Sequence, residues 1–229
     1  MRLKFLQLMT YGVWAGRGKA VALILAFFLV PPVAVAQERV TVLALGDSLT
    51  AGYGLRREEG FVNQLGAWLA ANGQGATLIN AGVSGDTTAG GLARVDWSLT
   101  PEVDAMIVTL GGNDILRGID PATTRANLTG ILQAAKAREV PVLLIGLFAS
   151  ANYGADFKAA FERIHPELAA EFGTLYEPNF FQALAGADGS AASYLEWMQR
   201  DGIHPNADGV ARIVKRIGPR VIELIAQAG

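Results

Sequence analysis

The run Val40-Thr41-Val42-Leu43-Ala44-Leu45 drives straight into Gly46-Asp47-Ser48-Leu49-Thr50-Ala51-Gly52-Tyr53-Gly54. The apolar run is β-branched and leucine-rich, stops at a glycine and is followed by small residues. A buried parallel strand delivers one polar side chain to the rim of a sheet in this way. The side chain delivered is Ser48, and the glycines around it leave room for a ligand to approach the backbone. Taken alone, the stretch is equally compatible with a strand-to-helix turn in which Ser48 caps the helix. The choice between cap and nucleophile rests on the rest of the chain.

Strand and helix signals alternate from Val40 to the end. Apolar segments at 40–45, 77–80, 105–110, 140–147 and 175–178 read as strands. Segments 60–72, 88–99, 120–139, 157–172 and 206–226 read as helices. In the first of these, Phe61, Leu65, Trp68 and Leu69 share a face. Asp120-Pro121 is an N-cap followed by proline at the first helical position. Pro166 is expected to interrupt or bend the helix over 157–172. Short apolar strands alternating with amphipathic helices imply parallel pairing and a three-layer α/β/α domain with a mainly parallel, five-stranded sheet. Such a sheet binds ligands beyond the carboxyl ends of its strands. Three of those ends carry polar, glycine-rich segments: Gly46-Asp47-Ser48, Asn80-Ala81-Gly82 and Gly111-Gly112-Asn113-Asp114.

The 229-residue chain is 51% hydrophobic and 17% charged, enough material for one domain with a large core. Its first 36 residues differ in kind. They carry Arg2, Lys4, Arg17 and Lys19 and no acid, and Ala20 to Val30 is uniformly apolar. Pro31-Pro32 follows, and Ala34-Val35-Ala36 has the small-x-small pattern of a signal-peptidase site. Residues 1–36 are therefore expected to be a secretory signal and 37–229 the exported domain, with no stable membrane anchor after cleavage. The apolar run is shorter than the roughly 20 residues a bilayer span needs. Without the leader the chain has 15 basic and 21 acidic residues, a net charge of −6. That balance argues against nucleic acid as a partner. Cysteine is absent, which excludes thiolate chemistry and Cys-ligated metals. No metal-ligating cluster or nucleotide loop stands out, so no cofactor is expected.

Only two histidines exist. His204 lies in Arg200-Asp201-Gly202-Ile203-His204-Pro205-Asn206, just before the last helix. An acid three residues ahead can fold onto the imidazole, fix its tautomer and stabilise the imidazolium. The other ring nitrogen is then free to act as general base for a serine. Considered alone, His204 would read as a turn residue at the helix start; Ser48 at another strand end favours the base. His165, among Phe161, Ile164 and Leu168, reads as a partly buried surface histidine. An acyl-transfer site also needs oxyanion donors. Gly82 N–H, the Asn113 amide and Ser48 N–H are the candidates, against plain turn roles for Gly82 and Asn113.

Gly46-Asp47-Ser48-Leu49, Gly82, Gly111-Gly112-Asn113-Asp114 and Asp201-Gly202-Ile203-His204-Pro205 together resemble the four blocks of the SGNH (GDSL) hydrolases, in that family's order. The resemblance implies a flavodoxin-like sheet and a serine hydrolase. In it Ser48 is nucleophile, His204 base, Asp201 orienting acid, and Ser48, Gly82 and Asn113 the oxyanion hole. The Gly-x-Ser-x-Gly elbow of α/β-hydrolases is absent. Ser84-Gly85-Asp86-Thr87-Thr88, Gly91-Leu92-Ala93-Arg94 and Ala151-Asn152-Tyr153-Gly154 further resemble the periplasmic arylesterase, acyl-CoA thioesterase I and lysophospholipase branch. By that likeness Asn152 and Tyr153 bind substrate from a loop beside the acyl groove. Phe148-Ala149-Ser150 departs from the proline-bearing versions of that branch. Asp47, Asp86 and Asp114 are expected to brace loops through backbone N–H groups. The implied partner is a small acyl ester or thioester. A carbohydrate O-acetyl esterase and a non-catalytic ligand-binding module remain as alternatives.

Overall fold

The computed structural model describes residues 39–185 and 194–228. Five strands form one all-parallel sheet: β1 (Val40–Gly46), β2 (Ala76–Gly82), β3 (Ala105–Thr109), β4 (Val142–Ile145) and β5 (Leu175–Glu177), in the order β2-β1-β3-β4-β5. Hydrophobicity explains the order. β1 and β3 are apolar but for Thr41 and Thr109, and Val42 to Leu45 and all of β3 are buried, as strands covered on both faces must be. β2 alternates between half-buried and exposed residues along its first half, consistent with its place at the edge. The register sets Gly46 level with both Gly82 and Thr109. Three carboxyl ends therefore finish together at one rim.

Helices α1 (Ser48–Ala51), α2 (Phe61–Ala71), α3 (Thr88–Ser98), α4 (Gly112–Leu116), α5 (Pro121–Lys136), α6 (Ala155–Phe172) and α7 (Ala207–Ala228) follow the strands. α2 packs with α7, while α3, α5 and α6 pack side by side. Gly218 of α7 lies flat against the Trp68 ring of α2; a Cβ there would come within 2.4 Å of it. α5 starts where Asp120-Pro121 predicts, with Asp120 Oδ1 accepting from Ala122 N–H at 2.8 Å.

Two elements and one residue depart from the sequence reading. α6 runs unbroken through Pro166. Burial of Phe161, Ile164 and Leu168 holds it across the lost hydrogen bond. His165 is buried at 1% exposure instead of lying near the surface. It sits one turn from Phe161 on the core-facing side, its Nε2 3.3 Å from the Leu110 carbonyl. The short α4 replaces a simple strand-end turn. It begins after Gly111, whose φ of +117° a side chain would resist. Among the described residues no helix is long and apolar enough to cross a membrane. The expected signal at 1–36 lies outside the described residues.

Candidate active site

β1 ends at Gly46, and α1 begins two residues later. Asp47, not Ser48, is the cap: its Oδ1 accepts from Leu49 N–H at 3.0 Å. Ser48 is thereby freed to be the first helical residue. Its backbone N–H has no intrahelical acceptor there, and its side chain lines a cleft of about 400 Å³ at the rim of the sheet. Two close approaches hold α1 in place. A Cβ on Gly46 would fall 2.0 Å from Thr50 Oγ1, and one on Gly82 would fall 2.2 Å from Ala51 N.

The Asp201–His204 loop reaches the same cleft. Gly202 takes φ +66°, and its N–H donates to Gln199 C=O at 3.0 Å. Asn206 holds the loop's far side, its N–H donating to Trp197 C=O at 2.8 Å. Asp201 Oδ1 accepts from the N–H groups of Ile203 and His204 at 2.9 and 3.0 Å. Its Oδ2 lies 2.7 Å from His204 Nδ1. His204 Nε2 lies 2.8 Å from Ser48 Oγ. Because a carboxylate faces Nδ1, that nitrogen carries the proton, and Nε2 is left to accept from the Ser48 hydroxyl. Some burial pushes the Asp201 carboxyl up, but the hydrogen bonds from His204 and Ile203 outweigh it and lower it to about 2. Asp201 is thus a fixed anion against the imidazole. The Tyr53 ring lies 4.6 Å from the imidazole, centroid to centroid. This neighbour carried no signal in the sequence beyond its place in the Ser48 stretch.

Of the candidate oxyanion donors, Ser48 and Asn113 are at the cleft and Gly82 is not. The Gly82 N–H donates to Asn80 Oδ1 at 2.9 Å, and the residue packs behind α1. The glycine past the end of β2 that lines the cleft is Gly85. It lies in a turn closed by Asp86 N–H on Val83 C=O at 3.0 Å, and its φ is +85°. The Gly85 carbonyl accepts from Arg117 Nη2 at 2.9 Å; its N–H has no acceptor among the described residues. The signal that could have found it is Ser84-Gly85-Asp86, a turn sequence just past the end of β2. Asn113 stands in the first turn of α4, and its Nδ2 donates to the Asp86 carbonyl at 2.9 Å. The same nitrogen is 3.4 Å from Asp47 Oδ2, the outer limit of a hydrogen bond, so its second N–H is only weakly engaged.

The three aspartates behave differently. Asp47 caps α1, and burial pushes its carboxyl up to about 6 against the opposing bond from Leu49. Asp114, fully buried, accepts from Thr88 N–H and from the hydroxyls of Thr88 and Thr124. Asp86 accepts from Arg94 Nε at 2.7 Å instead of from a backbone N–H. Asn152 and Tyr153 do not line the cleft. Tyr153 covers Gly118 and donates its hydroxyl to Leu116 C=O at 3.1 Å, so it backs the wall that Leu116 forms. That wall is apolar, made by Ile115, Leu116, Leu147, Phe148 and Ile203. A second cavity of about 530 Å³ lies between α2 and β2 and touches neither Ser48 nor His204.

A serine hydroxyl hydrogen-bonded to an imidazole that a carboxylate orients can attack a carbonyl carbon. On this parallel sheet, it defines a serine hydrolase of the SGNH kind. The chain belongs to the GDSL-like Lipase/Acylhydrolase family, whose model matches residues 44–212. It is 39% identical over 202 residues to Esterase TesA of Pseudomonas aeruginosa, covering 88% of this chain and 96% of that one. It is 40% identical over 172 residues to Thioesterase 1/protease 1/lysophospholipase L1 of Escherichia coli, covering 73% and 76%. The crystal structure of TesA superposes with a TM-score of 0.72 at 37% identity, over 80% of this chain and 99% of that one. That of AlinE4, an SGNH-hydrolase family esterase, gives 0.66 at 41% identity, over 81% and 96%. The protein is an ester-hydrolysing enzyme acting on a small-molecule ester.

Proposed function

We propose that this is an exported serine esterase that hydrolyses carboxylic esters and thioesters through an acyl-enzyme on Ser48. The observation that carries the reading is the hydrogen-bonded chain Ser48–His204–Asp201 at the floor of an apolar cleft. Ser48 Oγ attacks the acyl carbonyl while His204 Nε2 takes its proton. The tetrahedral oxyanion is met by the Ser48 and Gly85 N–H groups and the weakly engaged N–H of Asn113. His204 then protonates the leaving alcohol or thiol, and water repeats the sequence on the acyl-enzyme. Asp201, anionic throughout, supports the imidazolium at both steps.

The apolar wall favours an acyl chain longer than acetyl over a carbohydrate O-acetyl ester. The intact relay speaks against a non-catalytic module. Thioesters enter the substrate class on the likeness to thioesterase relatives. Export rests on the leader: four cations, an apolar run and Ala34-Val35-Ala36 ahead of an acidic domain at 37–229. Purified protein should hydrolyse a short-chain aryl ester, and Ser48→Ala should lower that rate by about 10³-fold or more. Retention of the full rate in Ser48→Ala would remove the assignment.

A further inference from the structure

Arg94 is the one arginine buried among the described residues. It stands on α3, one turn after Gly90. A Cβ on Gly90 would fall 1.9 Å from Asp86 Oδ1, so the glycine makes room for the carboxylate that Arg94 binds. The guanidinium donates to three acceptors on separate segments. Nε reaches Asp86 Oδ2 at 2.7 Å, Nη1 the Ala81 carbonyl at 2.7 Å and Nη2 the Gly46 carbonyl at 2.8 Å. Arg94 does not line the cleft.

Each acceptor lies on a segment that leads to or holds a candidate oxyanion donor. The Gly46 carbonyl ends β1 two residues before Ser48, and it also accepts from Val83 N–H at 3.0 Å. Val83 opens the turn that carries Gly85. Ala81 fixes the strand leading into that turn. Asp86 follows Gly85, and its carbonyl holds the Asn113 amide. A planar fork with donors at fixed angles can lock three segments at once, whereas an ammonium is a single point charge.

We propose that Arg94 is a positioning residue that sets the spacing of the three oxyanion donors; the proposal rests on the reading of Ser48, Gly85 and Asn113 given above. Its loss shifts donors by fractions of an ångström, which weakens binding of the tetrahedral state more than that of the substrate. Two variants separate this from a stability role. Arg94→Lys keeps the charge. The double variant Arg94→Met with Asp86→Asn removes the ion pair without leaving a lone carboxylate, and keeps the Asp86 carbonyl for Asn113. Rates are expressed per active site titrated with a fluorophosphonate.

The expected result is a fall in kcat of about ten- to hundredfold, with KM changed less than about threefold. The pH profile of kcat keeps its shape. Affinity for an alkyl boronic acid, which forms a tetrahedral adduct on serine, falls in parallel with kcat. A kcat per titrated site and a boronate affinity within about threefold of wild type in both variants would overturn the proposal, whatever the melting temperature. Failure of the underlying reading looks different: wild type would have no titratable serine, or Ser48→Ala would still hydrolyse the ester.

Discussion

At the residue scale, the site is a set of polar groups whose partners decide what each can do. Two buried groups make opposite contributions to acid stability. Burial lowers the His165 imidazole to about 4 from an ordinary 6.5. Its stabilising contribution is therefore complete above pH 6.5 and is lost as pH falls towards 4, by about 3 kcal/mol. Asp47 is raised from 3.8 to about 6, so it costs nothing below pH 3.8 and destabilises as pH rises through 6. Urea unfolding at pH 7 and pH 4.5 should show wild type losing its advantage over His165→Gln on acidification. The corresponding difference for Asp47→Asn should run the other way. The oxyanion assignment is open to an equally simple check. Asn80→Ala frees the Gly82 N–H without touching Gly85. If Gly85 is the donor, kcat/KM on an aryl ester should stay within about threefold. A large gain would return the role to Gly82.

Ser48, Asn113, Asp201 and His204 stand out in the sequence because each lies in a short segment whose chemistry needs that residue type, and the structure brings them to one place. Gly82 was named and Gly85 was not, since Gly82 ends β2, Gly85 lies three residues beyond it, and both suit a tight turn. Only the direction of each N–H distinguishes them, and that is set by where the turn closes. Tyr53 was silent because a tyrosine near an imidazole is a matter of three-dimensional proximity alone.

At the scale of elements, close backbone approaches control where Ser48 stands. α1 lies so near the end of β2 that Gly82→Ala would drive a Cβ into Ala51 N. The variant should fall by more than about tenfold in kcat and should also melt lower, because α1 must move. Kinetics and a thermal melt on the same preparation check both. The five strands and the five longer helices were readable from apolar runs and periodicity, with boundaries displaced by a few residues. What was not readable was tertiary. α6 continues through Pro166 because its buried face outweighs one missing hydrogen bond. α1 and α4 are too short to have a period of their own, and they exist because Asp47 caps one and Gly111 opens the other.

At the scale of the whole molecule, the strand order places three carboxyl ends at one rim and leaves an apolar cleft beside the serine. Each acyl methylene buried against Leu116, Leu147, Phe148 and Ile203 is worth about 0.8 kcal/mol, or roughly fourfold in kcat/KM. A series of aryl esters should therefore rise from acetyl to hexanoyl and then level off as the cleft of about 400 Å³ fills. A flat series, or a preference for acetylated sugars, would favour the carbohydrate O-acetyl reading. The leader, expected from composition at 1–36, is tested separately by the N-terminal sequence of the secreted protein.

In the proposed mechanism Ser48 carries the acyl group. This role is tested most directly by reacting the enzyme with an alkyl fluorophosphonate, digesting it and locating the adduct by mass spectrometry. The expected result is one stoichiometric adduct on Ser48, complete loss of esterase activity as it forms, and no adduct in Ser48→Ala. An adduct on another residue, or a fully labelled Ser48 with activity intact, would contradict it.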